Sequence, residues 1–221
     1  RRAWPILAPG PALDAYIIAH ADRALQQIFW TNNGLNTAGF VPLNTAPPIE
    51  IGVRRLCGCT VLLIYNPAGV YYAHFWESTS FSTWTRGAQS SDKFRSEVED
   101  VLRGVTAVNG FQDLVQFAPT LDNAQSQVYI MTPLRSRQPR NKSQYWVDIN
   151  RLSFVVSQIL PNALAAQVIN YDAVDHKVDQ RLPLNQQLLE TTTHGCFLFQ
   201  YDTDLQNIPR VRLFMESLQI F

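Results

Sequence analysis

The chain has 221 residues, 46% of them apolar, which is enough to bury one core, and residues 1–221 read as a single domain. Its 18 basic and 18 acidic residues cancel, and no long basic run is present, which argues against nucleic acid as the main partner. No apolar stretch approaches the roughly 20 residues that span a bilayer.

In chain order, Leu13, Tyr16, Ile17, Ala21, Leu25 and Ile28 recur at three- and four-residue spacing, which predicts a helix over 11–29 with Pro11 in its first turn. A polar, Pro-containing loop is expected from Asn32 to Pro48, followed by strands at 49–56, 59–66 and 70–77. Both faces of the last two strands are apolar, which implies a central hairpin covered on both sides. The segment 78–91 carries Phe81 and Trp84 among small polar residues. It reads either as an adaptable contact surface or as a connection whose aromatics fold back onto the core. Ser91 or Asp92 can cap a helix at 92–105, with Phe94, Val98, Val101, Leu102 and Val105 facing inward. Gln127 to Thr132 reads as a strand. A basic loop at 133–143 contains Arg135, Arg137, Arg140 and Lys142. A helix at 144–160 has Ile149, Leu152, Val156 and Ile159 inward and ends at Pro161; strands are expected at 165–171, 196–201 and 211–220. Helices and strands mix without strict alternation, so the fold class is α+β.

The stretch Leu56-Cys57-Gly58-Cys59-Thr60 is followed by His74, with the turn Asn66-Pro67-Ala68-Gly69 between them. A two- or four-residue loop pairs Tyr65 with Val70, Leu63 with Tyr72 and Val61 with His74. Side chains alternate along a strand, so Cys59 shares a face with Val61 and is the diagonal neighbour of His74, with Cβ atoms roughly 7–8 Å apart. Twist or a bulge at Gly58 would shorten that gap. A three- or five-residue loop would put the thiol and the imidazole on opposite faces. As a plain structural element, Cys59 would be a small buried hydrophobe.

The motif Leu56-Cys57-Gly58-Cys59 resembles the Leu-Ser-Gly-Cys motif of the bacterial toxin deamidases typified by cytotoxic necrotizing factor and Burkholderia lethal factor, with Cys57 in place of the serine. His74 on the next strand fits their Cys–His dyad, and Tyr72-Ala73-His74-Phe75 is similar to the Ala-His strand of the chemoreceptor deamidase CheD. The resemblance covers about 25 residues. It implies that Cys59 attacks a glutamine side chain, that His74 is its base, and that the backbone carbonyl of Val53 orients the imidazole. It further implies a β-sandwich-like core with flanking helices, no cofactor, and a host protein such as a GTPase as substrate.

Scarce lysine (Lys93, Lys142, Lys177) and a sequon at Asn141-Lys142-Ser143 lean towards secretion. The chain opens on Arg1-Arg2, which is compatible with a removed leader. Of three cysteines, a Cys57–Cys196 bridge would leave Cys59 free, whereas extended i, i+2 geometry disfavours Cys57–Cys59. His194 and Cys196 could share a strand face, but two ligands do not make a metal site. Asp172, Asp175 and His176 read as a solvated turn, and His20 as a helix-surface or packing residue. The expectation is a secreted protein-glutamine deamidase. A non-catalytic secreted effector or binding module, or a Cys–His transglutaminase or peptidase, remain the alternatives.

Overall fold

The computed structural model describes residues 5, 7–24, 26–27, 35–44, 48–81, 92–134, 143–173, 189–203 and 208–221. The described residues form two five-stranded sheets accompanied by helices, an α+β fold. It divides into two compact units, one comprising residues 1–28, 45–57 and 171–221, the other residues 29–44 and 58–170. No helix among the described residues is long and apolar enough to cross a membrane.

The first unit holds helix α1 (Pro11–Arg23) and strands β1 (Gln26–Gln27), β3 (Ile49–Val53), β8 (Phe197–Thr203), β9 (Pro209–Met215) and β10 (Leu218–Gln219). Leu13, Ile17 and Ala21 form the buried stripe of α1 and pack with Cys196, Leu198 and Phe214. The helix approaches β3 closely: a Cβ on Gly52 would lie 3.0 Å from backbone atoms of Ala21. The helix stops at Arg23, short of the expected 29, because Ala24 turns extended and Gln26–Gln27 pair in parallel with Ile51 and Gly52. Sheet pairing here overrides helical periodicity.

β3 also ends early, at Val53 instead of 56. Arg54 is buried and donates to Asp22 and to the carbonyls of Leu189 (3.2 Å) and Glu190 (2.7 Å), and Arg55 adopts φ 63°. The strand expected at 211–220 is instead the hairpin β9–β10, turned at Glu216, whose φ is 55°. None of the three cysteines is in a disulfide. Cys196 is committed to the α1 core, whereas the Cys57 thiol donates to its neighbour Arg55's carbonyl at 3.2 Å, so the two are not bridged.

The second unit holds the sheet ordered β2 (Thr37–Pro42), β5 (Gly69–Phe75), β4 (Thr60–Asn66), β6 (Gln127–Pro133) and β7 (Gln167–Tyr171), the last residue of which is counted with the first unit. The hairpin β4–β5 is central, as its two apolar faces imply. Leu62, Ile64, Tyr71, Ala73 and Phe75 line one face and pack against Phe94, Val98, Leu102, Leu114, Ile149 and Leu152. Short helices α2 (Glu77–Ser80), α3 (Asp92–Phe94), α4 (Asp100–Leu102) and α5 (Ala118–Leu121) and the longer α6 (Trp146–Ile159) belong to this unit. A π-helical stretch at Arg95–Glu99 joins α3 to α4. Its inward residues are those expected, except that Val105 lies past the helix end and is 72% exposed.

Strand β2 falls in the segment expected to be a loop. Its Gly39 accommodates the Tyr72 ring, which would touch a Cβ there. Just before it, buried Asn36 donates to the Glu97 carbonyl (2.7 Å) and accepts from the Trp76 N–H (2.9 Å) and the Ser80 hydroxyl (2.9 Å). Asn36 thus ties the end of β5, α2 and the π-helical stretch together. Asn36→Ala strands the Trp76 N–H and the Glu97 carbonyl, and is expected to destabilise the fold by about 2–4 kcal/mol, read as a lower urea midpoint at unchanged m-value.

Candidate active site

The loop of the β4–β5 hairpin is two residues, Pro67-Ala68, with Asn66 opposite Gly69. Asn66 holds it closed: its Oδ1 accepts from the N–H groups of Ala68 (2.9 Å) and Gly69 (3.1 Å), and its Nδ2 donates to the Thr120 carbonyl (2.8 Å) and the Ser126 hydroxyl (3.0 Å). The resulting register pairs Val61 with His74, Leu63 with Tyr72 and Tyr65 with Val70. Cys59 lies one residue before β4, two before Val61, so the strand's alternation carries it towards the His74 face. The entry to β4 is anchored by the buried hydroxyl pair Thr60–Thr132 at 3.0 Å.

Both candidate groups are buried, Cys59 at 8% exposure and His74 at 3%. Neither ring nitrogen of His74 has a hydrogen-bond partner among the described residues, so no hydrogen bond joins the imidazole to Cys59. The ring meets Trp76 edge-on, with centroids 5.2 Å apart. Burial pushes the imidazole down to about 4, so it is neutral near pH 7. Val53 belongs to the first unit, where it ends β3, is buried, and pairs with Phe197.

Three further side chains gather at the motif, none of them marked by sequence spacing. The Glu77 carboxylate accepts from the Tyr145 hydroxyl and from Gln144 Nε2 (3.4 Å), and Gln144 also donates to the Tyr145 oxygen at 2.8 Å. Glu77 Oε2 occupies the place of a Gly58 side chain, since a Cβ there would lie 2.1 Å away. This explains the glycine of the motif without any appeal to unusual backbone angles. The Tyr145 phenol is within electrostatic range of Cys59 and is held protonated, first by burial, then by the Glu77 charge and hydrogen bond. Phe81 stacks on Tyr145 with centroids 4.8 Å apart and is buried. Of the two readings for segment 78–91, Phe81 therefore follows the second and folds onto the core; Trp84 lies outside the described residues, as do Arg135, Arg137, Arg140 and Lys142 of the basic loop.

The other candidates resolve as structure. Burial raises the Cys196 thiol to about 11, which makes it inert at neutral pH despite nearby Arg54. His194 meets Glu216 at 3.5 Å. His20 stacks on Tyr16 (4.1 Å) and meets Glu50 at 2.5 Å, while Gln200 bridges Glu50 (2.7 Å) and Tyr16 (3.0 Å). Among the described residues no cluster of three His, Cys, Asp or Glu could hold a metal ion. Asp175 and His176 lie outside the described residues.

No protein family and no curated protein matches the chain. Among solved structures it is similar to the C-terminal domain of CNFy from Yersinia pseudotuberculosis, with a TM-score of 0.37 and 16% identity. That likeness covers 82% of this chain and 55% of the other, so the chain spans about half of that domain's length.

Two outcomes are expected here. An unfolded histidine titrates near 6.5, whereas folded His74 titrates near 4. Between those values the unfolded state binds more protons, so stability falls as pH drops through the window and is flat above it, by up to about 3 kcal/mol in total. Urea titrations from pH 4 to 7.5 should show that slope, and His74→Gln should remove its share. Gly58→Ala should evict the Glu77 carboxylate and release Tyr145, at a cost of about 1–3 kcal/mol, visible as a changed tyrosine environment in near-UV circular dichroism.

Proposed function

We propose that this chain is a protein-glutamine deamidase acting as a secreted effector or toxin, with Cys59 as nucleophile and His74 as base. The observation that carries the reading is the hairpin register, which pairs His74 with Val61 two residues after Cys59. The resemblance of Leu56-Cys57-Gly58-Cys59 to the deamidase motif supplies the chemistry.

In this reading neutral His74 takes the Cys59 proton, and the thiolate attacks the glutamine Cδ. Backbone N–H groups around Gly58 to Thr60 hold the oxyanion. The tetrahedral adduct collapses, the C–N bond breaks, and His74 returns its proton to the departing ammonia. Water, deprotonated by His74, then attacks the thioester; the C–S bond breaks, releasing glutamate and restoring the thiol. An amine in place of that water would give a crosslink instead. The protonated Tyr145 and the Glu77 carboxylate behind Gly58 hold the loop that presents Cys59.

The burial of both groups favours a second reading, a non-catalytic binding module in which Cys59 is a core residue. The two are separated by incubating the protein with host-cell protein and following ammonia release together with glutamine-to-glutamate conversion by mass spectrometry. Conversion that is lost in Cys59→Ala and in His74→Ala, both still folded, is the expected result. Conversion that persists in Cys59→Ala, or absence of both conversion and rapid alkylation of Cys59 near neutral pH, overturns the deamidase reading in favour of the binding module.

A further inference from the structure

His74 has a second neighbour besides Val61. On the other side of β5 it stands directly opposite Thr37 of β2. Directly opposed residues share a sheet face, with Cβ atoms about 4.5–5.5 Å apart. Thr37 is 8% exposed, and its hydroxyl, like both His74 ring nitrogens, has no hydrogen-bond partner among the described residues. By contrast, Asn36, next to Thr37 in the chain, makes three hydrogen bonds, and the Thr60 and Thr132 hydroxyls bond each other. Three orphaned buried atoms thus fall on this one cross-strand pair.

A buried polar atom left without a partner costs about 1–3 kcal/mol. A threonine hydroxyl can both donate and accept, and a turn about χ1 sweeps its oxygen across the facing residue. We infer that Thr37 is the positioning residue of His74: its hydroxyl bonds one imidazole nitrogen, sets the tautomer and leaves the other nitrogen for Cys59. This gives Thr37 the role that the resemblance implies for the Val53 carbonyl. The two assignments differ chemically. A carbonyl only accepts, so it demands an N–H at that nitrogen throughout, whereas a hydroxyl can follow the ring through either protonation state. The hydrogen bond itself is independent of the deamidase reading; its catalytic consequence rests on it.

The test uses the full chain with ¹⁵N-labelled histidine, in three forms: wild type, Thr37→Val, which keeps the shape without the hydroxyl, and Thr37→Ser, which keeps the hydroxyl. The His74 ring nitrogen shifts and their couplings to ring protons report the tautomer. A single tautomer is expected in wild type and Thr37→Ser, and a mixture of tautomers in Thr37→Val. Deamidation, measured alongside, should fall about tenfold in kcat with KM unchanged in Thr37→Val, and return in Thr37→Ser. A His74 spectrum identical in wild type and Thr37→Val overturns the inference whatever the activity, as does a Thr37→Ser protein that behaves like Thr37→Val. A tautomer change in a protein that never deamidates supports the Thr37–His74 pair and sinks only the deamidase reading.

Discussion

Asn66 is the constraint on which the site depends. Its side-chain oxygen takes both N–H groups of the hairpin loop, and its amide nitrogen is anchored to the Thr120 carbonyl and Ser126. A loop one residue longer would shift every residue of β5 to the opposite face. His74 would then face the Phe94 and Leu152 side of the sheet, away from Val61, and Thr37 would lose its opposite number. The parity of one turn therefore decides which residues share a sheet face, although the turn lies at the far end of the hairpin from them.

The interior that results is poor in charge. His74 is neutral because no charged group offsets its desolvation, and Tyr145 keeps its proton first through burial and then because the Glu77 carboxylate accepts its hydrogen bond. The carboxylate beside the motif, that of Glu77, approaches because Gly58 has no side chain.

Helices α1 and α6 were legible because their apolar residues repeat at helical spacing, and Leu13, Ile17, Ala21, Ile149, Leu152 and Val156 are buried as that spacing requires. The hairpin register was legible because Asn66-Pro67-Ala68-Gly69 admits few loop lengths. β2 was not, since Thr37-Ala38-Gly39-Phe40-Val41-Pro42 lacks alternation and includes the two residues least typical of strands. Gly39 is there for the Tyr72 ring, a reason that exists only once the sheet has formed. Tyr145 and Glu77 meet across 68 positions of chain, and no local pattern announces such a pair. The ends of β3 and α1 were misjudged for a similar reason, because the partners of Arg54 and Gln26 are distant in sequence.

The division of the chain bears on how the protein comes off the ribosome. The boundary between the units passes between Cys57 and Gly58, inside the motif itself. The sheet around β4 and β5 draws its strands from residues 37–171, which emerge together. β3, by contrast, finds its antiparallel partner in β8, where Val53 meets Phe197. During synthesis, at roughly 5–20 residues per second, the Cys59 half of the motif can be folded while the Leu56 half still waits for a strand not yet made. Every nascent chain thus passes through an interval in which the β8 side of β3 is an unpaired edge, and that interval is where a chaperone would be of most use.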